Sequence, residues 1–309
     1  TKIPSYIWIP KQSIFTLCQI RGTAMKDHSR DWNLDQNVIE RFGYEWSSFR
    51  YSELQNIDSL DAQFSAYCSP IDFALFDKSS AIAGDFGAGS GRWSSRLLPY
   101  FSKVYALEPS VRAVEILHQK FQSEPRIKIL QESVGENSIP DASLDFGMSL
   151  GVLHHIPDTS LAIKELSKKI KPGGYLLCYL YYKIEGKPLY YRLIFRIVDI
   201  ARRLISRLPY PVIKILSKII AIFLYWPLAR LNRMLSRIGI NNTNVPLHHY
   251  AEMPFVMLAN DALDRFGTTL EQRFNKEEII TMLEQANFDL TTLNFSDKEP
   301  FWTFAVKKK

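Results

Sequence analysis

Between residues 76 and 182, short apolar runs alternate with stretches whose apolar residues recur every three or four positions. Residues 81–86, 103–108, 126–130, 144–150 and 175–180 are short runs rich in apolar residues, the signature of strands buried on both faces. Between them, Trp93, Leu97 and Leu98 share helical spacing. So do Val111, Val114 and Leu117 behind an N-capping Ser110, and Leu161, Ile163 and Leu166 behind Asp158. Lys168, Lys169 and Lys171 gather at the end of that last segment, where a helix dipole favours cations, and Pro172-Gly173-Gly174 predicts a turn. Alternating strand and helix predicts a parallel sheet with right-handed crossovers. The alternation stops near residue 183 and resumes near 275. There Asn275 and Glu278 form a capping-box pattern ahead of Ile279, Ile280 and Leu283, and residues 288–295 and 301–306 read as a closing pair of strands. The expected architecture is α/β: a seven-stranded, mostly parallel sheet with helices on both faces and a helical insertion between strands 5 and 6. Residues 1–75 form an N-terminal extension and aromatic helical flap, residues 76–182 and 271–309 the core, and residues 183–270 the insertion.

The insertion has its own pattern. Over residues 189–208, Arg192, Arg196, Asp199 and Arg203 fall on one helical face, and Leu193, Ile197, Val198 and Leu204 on the other. Pro209 and Pro211 end this helix, and a second over residues 212–235 is nearly apolar throughout, with a kink predicted at Pro227. Its uninterrupted apolar run, residues 219–229, is too short to span a bilayer. Residues 183–237 carry twelve Lys or Arg against two acids, Glu185 and Asp199. This basic, apolar pair suits a lid over the core, a peripheral membrane contact through residues 183–237, or a partner surface. Nucleic acid is disfavoured, because no recognition motif accompanies the charge.

The net charge of +6 selects no partner by itself. Three well-separated cysteines (Cys18, Cys68, Cys178) offer neither a disulfide framework nor a zinc knuckle, as expected of a reducing compartment. No basic-then-apolar signal opens the chain, so a cytoplasmic location is expected, peripheral at the inner membrane surface if the insertion binds lipid.

Candidate chemistry centres on the loop after the first strand, where Gly87, Gly89 and Gly91 leave the backbone free to turn tightly and touch a ligand. A dinucleotide fingerprint needs a glycine where Arg92 stands, and the Gly-Lys-Ser/Thr of a phosphate loop is absent. Glu108, at the end of the second strand, is placed to accept hydrogen bonds from the two hydroxyls of a ribose. Four segments in this order resemble class I S-adenosylmethionine-dependent methyltransferases: residues 85–91 (Asp-Phe-Gly-Ala-Gly-Ser-Gly), Glu108-Pro109, residues 144–158 and residues 171–174 (Lys-Pro-Gly-Gly). The resemblance covers about residues 76–182 and implies a Rossmann-like fold with S-adenosylmethionine as donor and S-adenosylhomocysteine as product. It implies cofactor contacts from Asp85, Phe86, Gly87, Ala88, Gly89, Gly91, Glu108 and Pro109. Leu150 and Gly151 would line the methionine side, and Ser133 and Val134 would flank the adenine. Many members carry an acid where this chain has Ser133; Glu132 and Glu136 are nearby substitutes.

Methyl transfer from an activated sulfonium is an in-line displacement in which positioning and water exclusion do much of the work. His154 and His155 are candidate catalytic bases; their alternative role is loop architecture or cofactor contact. No Asn/Asp-Pro-Pro-Tyr/Phe sequence follows strand four, and Cys178 lies within an apolar strand, so transfer to oxygen, a simple amine or an activated carbon remains. The expected acceptor is small, or linked to sugar or lipid, with oxygen as its methylated atom; an RNA substrate and a non-catalytic scaffold binding a partner or membrane are the alternatives. Acceptor contacts are expected from Tyr44, Trp46, His248, His249 and Tyr250, and no metal site is expected.

Overall fold

The structure is a computed structural model that describes residues 33–48, 57–184, 187–242, 244–297 and 301–309. Phe49 and Tyr51 of the aromatic cluster, Cys18, and the side chain of His249 lie outside the described residues.

Seven strands form one sheet in the order β3-β2-β1-β4-β5-β7-β6. They are β1 (Ile82–Phe86), β2 (Lys103–Leu107), β3 (Ile127–Leu130), β4 (Leu144–Leu150), β5 (Ile170–Tyr181), β6 (Phe288–Phe295) and β7 (Phe301–Lys308). β1 to β5 run parallel, and β7 is antiparallel to both β5 and β6. Chain order reverses between β1 and its neighbours β2 and β4, which opens a crevice beyond the carboxyl ends of those strands. Apolar residues fill both faces: Phe86, Leu107, Leu144 and Phe304 on one, Val104, Phe101, Phe146 and Leu177 on the other.

The helices are α1 (Gln36–Ser48), α2 (Ile57–Tyr67), α3 (Ser94–Leu97), α4 (Val111–Lys120), α5 (Thr159–Lys169), α6 (Leu189–Ile205), α8 (Phe255–Gly267) and α9 (Lys276–Gln285), with α7 the long helix Tyr210–Arg237. Asp158 caps α5 by accepting from the Leu161 N–H at 2.9 Å, and Asn275 and Glu278 make the full capping box of α9. Ser110 does not cap α4 with its side chain. Its hydroxyl instead faces α1 at Gly43, where an added Cβ would overlap it. The turn expected at Pro172-Gly173-Gly174 is absorbed into β5 as an irregularity against β4, with Gly173 at φ +83°.

The second insertion helix runs through Pro227 as its pattern predicts, with a π-helical segment over Ala221–Tyr225 leading directly into Trp226–Arg237. Widening the turn there accommodates a residue with no N–H to donate, so the rod continues. Continuous over 28 residues and holding an 18-residue window of mean hydropathy 1.8, α7 is long and apolar enough to cross a membrane by length and composition, although the uninterrupted run counted from sequence is too short by itself. One stripe of it is committed to protein: Ile213, Ser217, Ala221, Tyr225, Ala229 and Asn232 are buried, and α8 packs along it through Leu258, Ala262 and Phe266. Arg202 of α6 turns inward, paired with Asp199 at 2.9 Å and donating to the Thr268 carbonyl, which ties α6 to the end of α8.

Candidate functional site

The crevice holds a narrow cavity of about 130 Å³ that meets a larger one of about 540 Å³. Phe42, Trp46, Arg92, Trp93, Leu150 and Gly151 line both, so the junction lies at the end of β4 beneath α1.

The narrow cavity gathers most of the residues expected to meet the cofactor: Gly87, Ala88, Glu108, Pro109, Ser133, Val134, Leu150 and Gly151 all line it. Gly87 (φ +85°), Gly89 (φ +54°) and Gly91 (φ +70°) take left-handed conformations that an L side chain resists. A Cβ on Gly87 would overlap Val152, and one on Gly89 would come within 2.8 Å of Trp46. Glu108 is held from below, accepting from the N–H groups of Gly89 and Ser110, both at 2.9 Å. Burial pushes its pKa up to about 7, which those two bonds oppose. Ser133 lines the cavity, and its hydroxyl accepts from the Glu136 N–H; Glu132 also reaches it. Three expected contacts sit beneath the site. Asp85 lines neither cavity and accepts from the Ser94 hydroxyl at 2.6 Å, fixing the turn into α3. The Phe86 ring is fully buried in the core, and a Cβ on Gly91 would strike Phe121 and Leu117, so Gly91 is there for packing.

The donor set fits an adenosyl cofactor: glycine backbone beside the cleft, a carboxylate at the end of β2, apolar walls at the expected adenine position. Helix α1 is seated by reciprocal hydrogen bonds between Asn33 and the Asp158 backbone, by Arg41 donating to the Gly267 carbonyl at 2.6 Å, and by Tyr44 stacked on Tyr210 with Arg112 over its ring.

The histidine pair is not where an acceptor base is needed. His154 is fully buried, stacked 3.8 Å from Tyr181, lines neither cavity, and neither ring nitrogen has a hydrogen-bonding partner in the protein. Burial lowers its pKa well below the ordinary value, so it stays neutral. His155 lines the narrow cavity, and its Nδ1 lies 2.7 Å from the Leu270 carbonyl, which can only accept. Its Nε2 is therefore the unprotonated nitrogen of a neutral ring. This geometry suits the second role anticipated for the pair, loop architecture and cofactor contact.

The larger cavity is walled by α1, α6, α7, α8 and the end of β5. Trp46 and Tyr250 line it as expected; Tyr44 and His248 do not. No individual acceptor contact was expected from its ionisable wall, made of Glu45, Asp261, Asp264 and Glu271 with Arg92, Arg265 and Arg273, although residues 261–267 are dense in polar and aromatic groups of the kind that build substrate pockets. Burial pushes Asp261 and Asp264 up to about 6, and raises Glu45 well above the carboxylate range, reinforced by the charges of Asp264 and Asp261. Asp261 is hydrogen-bonded to Tyr250, while Asp264 accepts from the Tyr181 hydroxyl at 3.3 Å and the Thr268 hydroxyl. Glu271 is held low by Arg273 and Arg265 despite its burial. The available signal was two acids three residues apart on the apolar side of an amphipathic helix, beside the buried Leu258, Ala262 and Phe266. Among the described residues no group of His, Cys, Asp and Glu could hold a metal ion.

Fold, glycine loop and strand-end carboxylate together are similar to those of class I methyltransferase domains, which take S-adenosylmethionine as methyl donor. Comparison with known proteins agrees: a family described as a methyltransferase domain matches residues 84–178. Demethylmenaquinone methyltransferase of Bacillus licheniformis is 28% identical over 102 residues, covering 32% of this chain and 44% of that protein. The enzyme of the same name from Staphylococcus aureus is 26% identical over 135 residues, covering 42% and 55%. The chain thus spans about half the length of the curated relatives it matches. Among solved structures, human N-acetylserotonin methyltransferase in complex with S-adenosylmethionine has a TM-score of 0.48 at 15% identity, covering 87% of this chain and 56% of that one.

Proposed function

We propose that this protein transfers a methyl group from S-adenosylmethionine to a hydroxyl of a small, largely apolar acceptor held in the larger cavity. The observation that carries this reading is the junction at Leu150 and Gly151, where a cofactor-type crevice meets a second cavity rich in aromatic side chains and buried carboxylates. The bound cofactor supplies an activated methyl on a sulfonium. The chain's own contribution is to orient the acceptor between Trp46, Tyr179 and Tyr250, to exclude water, and to take the acceptor proton on Asp261. A carboxylate whose pKa stands near 6 is a better base than an ordinary one and is still ionised at neutral pH. It suits a phenol-like hydroxyl, with a pKa of roughly 10, better than an alkyl alcohol. The relatives named for demethylmenaquinone make a small-molecule acceptor the natural choice, but they match only part of this chain.

The test is a product assay in two stages. Calorimetry with S-adenosylhomocysteine should give micromolar-range binding that Glu108→Ala weakens sharply. Incubation with phenolic, alcoholic and amine acceptors should then yield O-methyl products from the phenols, with Asp261→Asn suppressing the rate. Methylation confined to amines or carbon would sink the oxygen assignment while leaving the donor assignment intact.

A further inference from the structure

Helices α6 and α7 turn one side to the larger cavity and leave the other uncovered. Inward, Phe195, Val198, Tyr225 and Leu228 line the cavity. Outward, α6 exposes Leu189, Leu193, Ile197, Ile200 and Leu204 at helical spacing, and α7 exposes Val212, Ile215, Ile219, Ile222 and Phe223. Most of these are aliphatic, with Ile197 58% and Phe223 76% exposed. Exposed apolar ridges of this kind mark a site that meets something less polar than water. Basic side chains flank it: Arg192 and Arg196 on α6, Arg207 in the turn after it, and Lys214 and Lys218 on α7, all exposed. The one acid described on either helix, Asp199, is already engaged by Arg202 and Arg203. Ile194 and Leu224 are each 43% exposed and also line the cavity, so the cavity reaches the surface through this apolar face.

From this geometry we infer that the outer faces of α6 and α7 dock on the surface of an anionic lipid bilayer, and that the acceptor passes from the bilayer into the cavity between Ile194 and Leu224. The aliphatic ridges enter the headgroup–acyl boundary, and the flanking Arg and Lys meet lipid phosphates, the arrangement of an amphipathic helix lying in the interface. Although α7 is long enough to cross, it does not span. Its buried stripe carries Ser217 and Asn232, and Asn232 donates to the Leu228 and Pro246 carbonyls. That stripe packs on α8, whose Asp261, Asp264 and Arg265 cannot follow it into hydrocarbon. A protein partner fits less well, because the exposed ridges are almost wholly aliphatic and carry few of the aromatic residues that specific interfaces favour. The inference rests on the methyltransferase reading only for what the acceptor is, not for the docking.

The full chain is sedimented with phosphatidylcholine vesicles, with and without phosphatidylglycerol, while S-adenosylhomocysteine binding and sedimentation velocity are measured on the same samples. Wild type should partition onto the anionic vesicles and much less onto the zwitterionic ones. Ile197→Glu with Phe223→Glu should weaken that partitioning by roughly tenfold or more. Lys214→Ser with Lys218→Ser should weaken it roughly fivefold per lysine. Binding of S-adenosylhomocysteine should be unchanged in both. Wild type left in the supernatant with anionic vesicles, or partitioning indifferent to these substitutions, overturns the inference. So does a stable dimer that Ile197→Glu with Phe223→Glu converts to monomer, since the face would then cover a second copy of the chain. Loss of S-adenosylhomocysteine binding by wild type would instead count against the donor assignment, whatever the vesicles do.

Discussion

The two cavities that meet at Leu150 and Gly151 are built by opposite means. The donor side is made of backbone: glycines at positive φ, two N–H groups holding one carboxylate, and strand ends fixed by the sheet. The other side is made of side chains from α1, α2, α6, α7, α8 and the ends of β4 and β5, brought together only by folding. A site made of backbone tolerates little variation and recurs wherever the same ligand is bound. A site made of convergent side chains can be rebuilt for a new acceptor without disturbing the sheet.

The contrast can be broken at its strongest point first. Gly87→Val places a branched side chain at φ +85°, where even a Cβ overlaps Val152, and should abolish S-adenosylhomocysteine binding in calorimetry. Glu108→Gln is the gentler companion; replacing a charged acceptor of ribose hydroxyls should cost about 1.5–3 kcal/mol of donor binding per bond, and thermal stability should fall as well because the amide nitrogen would face one of the two N–H groups the carboxylate accepts from. Asp261→Asn addresses the other side. It should lower kcat roughly 10²- to 10⁴-fold while leaving donor affinity alone. A matching fall in donor affinity would show that the two sites are not separable.

Titration sharpens the same division. Glu108 must be ionised to accept from ribose hydroxyls, and burial places its pKa at about 7, so donor affinity should rise with pH and level off above that value. Asp261 must be ionised to take a proton, and its pKa stands at about 6, so kcat at saturating donor should fall as pH drops through that lower value. One common midpoint for both profiles would contradict the division. The smallest effect is expected at His154→Phe. The ring nitrogens have no protein partner and touch neither cavity, so kcat should change less than about twofold, and stability should hold or rise because a buried polar group is removed.

What the sequence made legible follows from the same physics. The strands, the α5 and α9 caps and the Gly87–Glu108 pair were readable because each is a local pattern, set by spacing and by residues suited to one backbone conformation. Asp261 and Asp264 were not, because an acid on a helix usually faces water, and only packing of α8 between α1, α6 and α7 turned these two inward. His154 misled for the converse reason. Its position after β4 promised the cleft, but the 153–155 turn rotates it under Tyr181 and leaves His155 to face the narrow cavity. The length of α7 was readable to within two residues at each end, but its π-helical turn was not, since spacing alone does not show one.

Helix α1 walls both cavities at once, through Phe42 and Trp46. The two cavities therefore share one wall, held by Asn33, Arg41 and Tyr44. A change that loosens the Tyr44–Tyr210 stack should be felt on both sides at once, in donor affinity and in acceptor affinity alike.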